Sequence, residues 1–325
     1  MRRGSRSTSK VRGEGIDDPA CAVRQWSVLV GGSGVRLQKI IAGFRTVMLA
    51  GAAMLCFAAN SLLCRLALAP RLIDAATFTT LRILSAAAML CLVVWLQRRG
   101  LPRLSQASPL SVAALFAYLV FFSFAYLRLE AGSGALILIG AVQLSMFSVA
   151  FWEGERFAPA QWIGLAIALF GFLYLVLPGA NAPDPMGTAL MAISGVAWGC
   201  FSLLARGVVH PVEANASNLL CCLLPAVVLS LVKVPEFDAT ATGLVLAIAS
   251  GTVATGLGYV VWYVALRSLP AAQAATVQLS MPALVALGGT AFLSEPLTTR
   301  ILFATATMLG GIGLVLGQRV ERSRS

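Results

Sequence analysis

Leu129-Glu130-Ala131-Gly132-Ser133-Gly134-Ala135 and, about 140 residues later, Leu269-Pro270-Ala271-Ala272-Gln273-Ala274-Ala275 open two stretches built on one skeleton. Leu129, Ala131, Ala135, Glu155, Ala166, Leu169 and Gly171 recur in register as Leu269, Ala271, Ala275, Glu295, Ala306, Leu309 and Gly311. A second echo lies upstream, where Ser61-Leu62-Leu63-Cys64-Arg65 is answered by Ser202-Leu203-Leu204-Ala205-Arg206. Alanine and leucine coincide cheaply in an apolar chain. The two glutamates, the glycine pair and the paired Ser-Leu-Leu-x-Arg segments therefore carry the weight, and they mark a duplicated unit.

The solvent of that unit follows from composition. With 58% hydrophobic residues, 11% charged residues and a mean hydropathy of +0.86, the chain has too much apolar surface for one soluble core. In a bilayer every backbone polar group must be satisfied within its own segment, which favours helices of about 20 apolar residues. Ten such segments are predicted, at 44–64, 75–96, 110–127, 132–151, 160–177, 187–205, 214–231, 242–265, 271–292 and 301–316. The connections are short and carry turn residues, as in Arg98-Arg99-Gly100-Leu101-Pro102-Arg103 and Pro235-Glu236-Phe237-Asp238. The fold class expected is an all-α integral membrane protein.

Five helices per unit is an odd number, so two units of like internal fold enter the membrane in opposite senses. The expected organisation is a basic arm over 1–43, disordered by composition; a first repeat over 44–178; a second over 186–317; and a basic tail over 318–325. Inverted repeats of this kind are a common way to build a carrier with a midplane site. Lysine and arginine gather in the arm, in the loop with Arg98, Arg99 and Arg103, and in the tail with Arg319, Arg322 and Arg324. That bias predicts cytoplasmic termini. The net charge of +11 then reads as a topology signal at anionic headgroups, with no nucleic-acid partner. Trp26 to Val30 is too short for the apolar core of a cleaved signal.

Seven cysteines without C-x-x-C spacing behave as small apolar residues, and the single histidine, His210, sits beside Pro211. Neither a metal site nor a cofactor is expected. A catalytic nucleophile with its base, or paired carboxylates, is equally hard to assemble from these residues. The chain is not expected to be an enzyme, and a non-transporting membrane sensor or scaffold is the alternative to a carrier.

The run from Gly258-Tyr259-Val260-Val261-Trp262-Tyr263 through Leu269-Pro270-Ala271-Ala272-Gln273-Ala274-Ala275, then Pro282 and Phe292-Leu293-Ser294-Glu295-Pro296-Leu297-Thr298, resembles the end of an EamA-type repeat of the drug/metabolite transporter superfamily. The first copy keeps Trp152-Glu153-Gly154-Glu155-Arg156-Phe157 but lacks the counterpart of Pro282. Phe57 and Trp198 match the family's aromatic position in the first and sixth helices. The resemblance implies a ten-helix carrier that exports or exchanges a small metabolite such as an amino acid. Its partners would be that solute and membrane lipid; a homodimer is allowed, and the site would be a bacterial cytoplasmic membrane.

Polar groups inside the spans are the candidate cavity residues. Arg82 lies about two turns inside the second span, where it either meets an anionic group or snorkels to the headgroups. Asn60 and Ser61 on the first span face Trp198 and Ser202 on its counterpart across the pseudo-twofold axis, although Gly195 and Gly199 give that helix a packing motif as well. Tyr259, Trp262 and Tyr263 share one helical face, as do Tyr118, Phe122 and Tyr126. Such faces suit an organic solute, a core or an interfacial belt. Gln143 and Gln278 are either solute contacts or interhelical hydrogen bonds. Glu155 and Glu295 fall where one helix ends and the next begins, and are expected to serve structure, in a turn or at the positive end of the following helix, more than proton coupling.

Overall fold

The computed structural model describes the backbone of residues 19–154, 157–179, 182–269, 274 and 277–322, with side chains between 44 and 315. The chain divides into two compact units, Met1–Val47 and Met48–Ser325. The second unit contains the bundle of apolar helices.

The described residues form helices α1 (Pro19–Leu68), α2 (Ala75–Arg98), α3 (Pro109–Tyr126), α4 (Ala131–Trp152), α5 (Pro159–Val176), α6 (Pro185–Leu204), α7 (Pro211–Val232), α8 (Ala241–Leu266), α9 (Ser280–Leu293) and α10 (Thr299–Arg322). Eight are long and apolar enough to cross a membrane, with Phe44–Leu68 the apolar part of α1, and two shorter apolar helices, Ser280–Leu293 and Thr299–Val315, come after them. Side chains such as Leu224 and Phe292, 75% and 77% exposed, would be costly in water over so wide a surface and are at home against lipid. The protein is an all-helical, multi-pass membrane protein. Backbone from Pro19 is helical, where composition predicts a disordered arm to residue 43; residues 1–18 lie outside the described part.

Local chemistry explains the helix starts. Proline opens α3, α5, α6 and α7, the first-turn position where its missing N–H costs nothing and its φ is already helical. Asp74 accepts from Thr77 N at 2.9 Å, Asp184 from Gly187 N at 2.7 Å and Thr240 from Gly243 N at 3.1 Å, each a side-chain cap for an otherwise orphaned donor. Pro225 interrupts the hydrogen-bond ladder of α7.

Close approach between helices depends on small residues. On α6 a methyl at Gly195 would lie 2.7 Å from Leu138 O, and one at Gly199 would collide with Ser145 Oγ, so this glycine pair seats α6 directly on α4. With that face committed to α4, the indole of Trp198 turns toward the centre of the protein. Two connections also pair by backbone: Asp74 N donates to Asp238 O at 2.8 Å and Thr240 N to Leu72 O at 2.8 Å.

Candidate functional site

A cavity of about 60 Å³ lies where α1, α3, α4, α6, α8 and the start of α9 converge. It has room for only a few water-sized molecules. Trp198 forms its central wall. The indole stacks on Tyr259 with centroids 5.8 Å apart and planes 8° from parallel, and it lies 4.8 Å from the Tyr118 ring. Phe57 meets Tyr259 edge-on at 6.0 Å. Leu138, Ile139, Met54 and Met281 supply the apolar remainder. Aromatic walls of this kind take up the body of an organic molecule through area burial and ring geometry.

Polar groups enter at one part of the wall. Asn60 is buried, and its carboxamide oxygen accepts from Ser250 Oγ at 3.0 Å, which joins α1 to α8. Thr255, also buried and lining the cavity, has no hydrogen-bond partner for its hydroxyl among the described residues. Both Ser250 and Thr255 belong to Ser250–Leu257, where the helix widens to i→i+5 spacing. Widened turns of this sort frequently mark functional sites in helices. The reason for tight packing here is visible at Gly251, whose added methyl would lie 2.4 Å from Arg82 O.

Five of the candidates read from sequence line the cavity, namely Asn60, Tyr118, Trp198, Tyr259 and Gln278. The others lie elsewhere. Ser61 is fully buried with its hydroxyl unpaired among the described residues. Ser202 Oγ donates to Trp198 O one turn back, at 2.7 Å. Trp262 packs edge-on against Phe57 at 6.1 Å and Tyr263 lies beside Tyr259 at 6.3 Å, so both support the wall from behind. Gln143 is half-buried on α4 away from the cavity. Of the residues not singled out from sequence, Thr255 had no distinguishing signal, because nothing local predicts a widened turn.

Arg82 does not snorkel. Its side chain is fully buried, with the guanidinium carbon 4.9 Å from the Phe122 centroid and 5.8 Å from that of Tyr118.

Glu295 sits in the α9–α10 turn, and its contacts are structural but run to distant helices and not to the helix that comes after it. Ser294 adopts φ 55°, and the Glu295 carboxylate accepts from Ala131 N, at the start of α4, at 2.7 Å and from Arg65 Nε at 2.9 Å. Arg65 also donates to Tyr126 O at 3.0 Å. One carboxylate thus ties the ends of α1, α3 and α4 to the α9–α10 connection. Glu155 lies outside the described residues.

Glu130, beside this clasp in the α3–α4 connection, is held above the usual carboxylate range by burial and then by the Glu295 charge, with Arg65 opposing. A carboxyl raised in the folded protein opposes folding once ionised, and the penalty is relieved as pH falls through its folded value. Glu130→Gln is therefore expected to raise the thermal midpoint near neutral pH, with the gain disappearing below the ordinary carboxylate range. Equal midpoints for both proteins near neutral pH would contradict this.

Residues 185–317 match the EamA-like transporter family. An uncharacterized protein of Pseudomonas aeruginosa is 46% identical over 279 residues, which cover 86% of this chain and 97% of that protein. An uncharacterized transporter of Archaeoglobus fulgidus is 22% identical over 213 residues, 65% of this chain and 76% of its own. The uncharacterized transporter YoaV of Bacillus subtilis is 22% identical over 251 residues, 72% of this chain and 85% of its own. A protein of known crystal structure shares the fold with a TM-score of 0.56 at 21% identity, covering 82% of this chain and 98% of that one.

Proposed function

This chain belongs to the EamA-like transporter family of the drug/metabolite transporter superfamily, and we propose that it exports a small organic metabolite across a bacterial cytoplasmic membrane by alternating access. The observation that carries the reading is the cavity. Its wall draws on α1, α3 and α4 from the first half and on α6, α8 and α9 from the second, so movement between the halves changes access to whatever it holds.

Two inverted five-helix repeats, ten spans in all, account best for how the helices pair. α2 packs on α7, α4 on α9 and α5 on α10, which are the self-matching pairs of a twofold arrangement. On one side of the bundle the halves are tied by the Arg65–Glu295 pair, by Arg128 and Asp184 at 3.7 Å, and by Arg300 donating to Leu175 O at 3.0 Å. With both termini cytoplasmic, that side is the outer one. On the opposite side Arg98 pairs with Glu213 and Ser217 Oγ donates to Arg103 O at 2.9 Å, so the halves are tied at both ends of the bundle.

Trp198→Ala tests the reading. Removing the stacked indole should lower the rate of solute efflux at least about tenfold, because the solute loses its largest contact surface. The check compares metabolites inside and outside cells that lack the protein, overproduce it, or overproduce the variant at equal membrane levels. Identical extracellular profiles in all three would remove the transport site from this cavity.

A further inference from the structure

Arg82 is a charge without a counter-charge. Guanidinium stays protonated in any protein environment, and here it is fully buried in the transmembrane part of α2. Among the described residues, its three side-chain nitrogens make no hydrogen bond of good geometry, its polar neighbour is the neutral Tyr118 phenol, and no carboxylate pairs with it. Its close support is the pair of rings, Phe122 and Tyr118. A buried cation is tolerated when something pairs with it, and in a membrane span such a residue marks a functional site by default.

The missing partner has a place to come from. Arg82 is not itself part of the cavity wall; Tyr118 joins the two, lining the cavity 4.8 Å from Trp198 with the Arg82 guanidinium carbon 5.8 Å from its ring centroid, so a solute group must pass beside Tyr118 to reach the charge. The same part of the wall carries the unpaired hydroxyl of Thr255. One fixed positive charge, a neutral amide and a neutral hydroxyl make a site for a single negative charge. A phosphate dianion would need more donors than this wall offers. The cavity's aromatic walls, Trp198, Tyr259 and Phe57, would take an apolar body once movement between the halves widens the cavity.

We infer that the transported solute is a small monocarboxylate with an apolar or aromatic body, whose carboxylate completes the Arg82 site beside Tyr118, Asn60 and Thr255. The inference rests on the cavity being the transport site. It assigns Arg82 to solute recognition, not to anchoring α2.

The test uses the full chain in nanodiscs of phosphatidylcholine alone, so that no anionic lipid can supply the partner. Three matched pairs serve as probes: hydrocinnamate with hydrocinnamamide, phenylalanine with phenylalaninamide, and isovalerate with isovaleramide, each titrated by calorimetry. At least one carboxylate should bind tenfold or more tightly than its amide. In Arg82→Gln the two members of that pair should bind within about twofold of each other, and Arg82→Lys should keep a reduced preference, since lysine retains the charge but not the fork. Because the change removes an unpaired buried charge, the ligand-free midpoint of Arg82→Gln should not fall. Should that variant fail to assemble, Arg82→Lys still decides the point, with a carboxylate preference weakened severalfold and amide binding unchanged.

Equal binding of carboxylate and amide by the natural protein overturns the inference, as does a preference that survives both substitutions or a panel in which nothing binds. If both members bind equally and Trp198→Ala abolishes both, the cavity stands as the solute site and only the carboxylate assignment falls. If Trp198→Ala changes neither binding nor efflux, the cavity reading falls first.

Discussion

Gly311→Val is expected to cost about 3 kcal/mol or more of stability, whereas Gly310→Val, one residue away, is expected to be close to neutral. The contrast comes from geometry. A methyl at Gly311 would lie 2.4 Å from Gly164 O and 2.5 Å from Ala168 N, both backbone atoms of α5, while one at Gly310 meets nothing within 4 Å. Backbone atoms cannot rotate aside as a side-chain tip does, so α5 and α10 must separate along their contact. That separation would also pull Gln161 Nε2 from Val315 O, now 3.3 Å away, and drive Gly171 from Thr307, where the fit is equally close. The check is the thermal midpoint of both variants under one set of membrane-mimetic conditions. Matching midpoints would mean that α5 and α10 do not meet as described. Because Gly164 and Gly311 share one contact, replacing both should cost less than the sum of the two single changes.

Glu295→Ala is the second large effect, at about 3 kcal/mol. The Arg65 and Glu295 side chains are 18% and 13% exposed, so water can do little to replace the lost partner, and truncation leaves a largely buried cation unpaired. The same change orphans Ala131 N at the start of α4. Glu295→Gln should cost roughly half as much, since an amide oxygen can still accept from Ala131 N while the charge is gone. A cycle with Arg65→Ala separates the two contributions: the double variant should be only slightly less stable than Glu295→Ala alone. Full additivity of the two single losses would show that Arg65 and Glu295 act independently. In the proposed transport cycle this clasp ties the halves on the outer side, so Glu295→Ala should also change efflux in the protein that remains folded.

The features legible in the sequence share one property, which is that they depend on a residue and its near neighbours in the chain. Apolar runs announced the membrane helices because a span satisfies its own backbone hydrogen bonds and needs only length and composition to do so. The helix starts at Pro109, Pro159, Pro185 and Pro211 come from proline's fixed φ. Gly195 and Gly199 advertised a close helix contact through their spacing alone, and α4 is what fills it.

Tertiary structure decided what depends on how each helix is rotated and which neighbour it meets. Gln143 and Gln278 look alike in sequence, yet only Gln278 reaches the cavity wall, because helix rotation is set by distant glycine contacts. Glu295 looked like a local turn residue and is a clasp to Arg65 and to Ala131, 230 and 164 positions away. The widened segment Ser250–Leu257 brings Thr255 into the wall through its packing on α2. Arg82 was visible as a charge in an apolar span, but that it is sealed under Phe122 and Tyr118 with no acid beside it among the described residues is a property of two helices packed together. Electrostatic pairing is a matter of a few ångströms between segments far apart in the chain, and only the folded bundle fixes those distances.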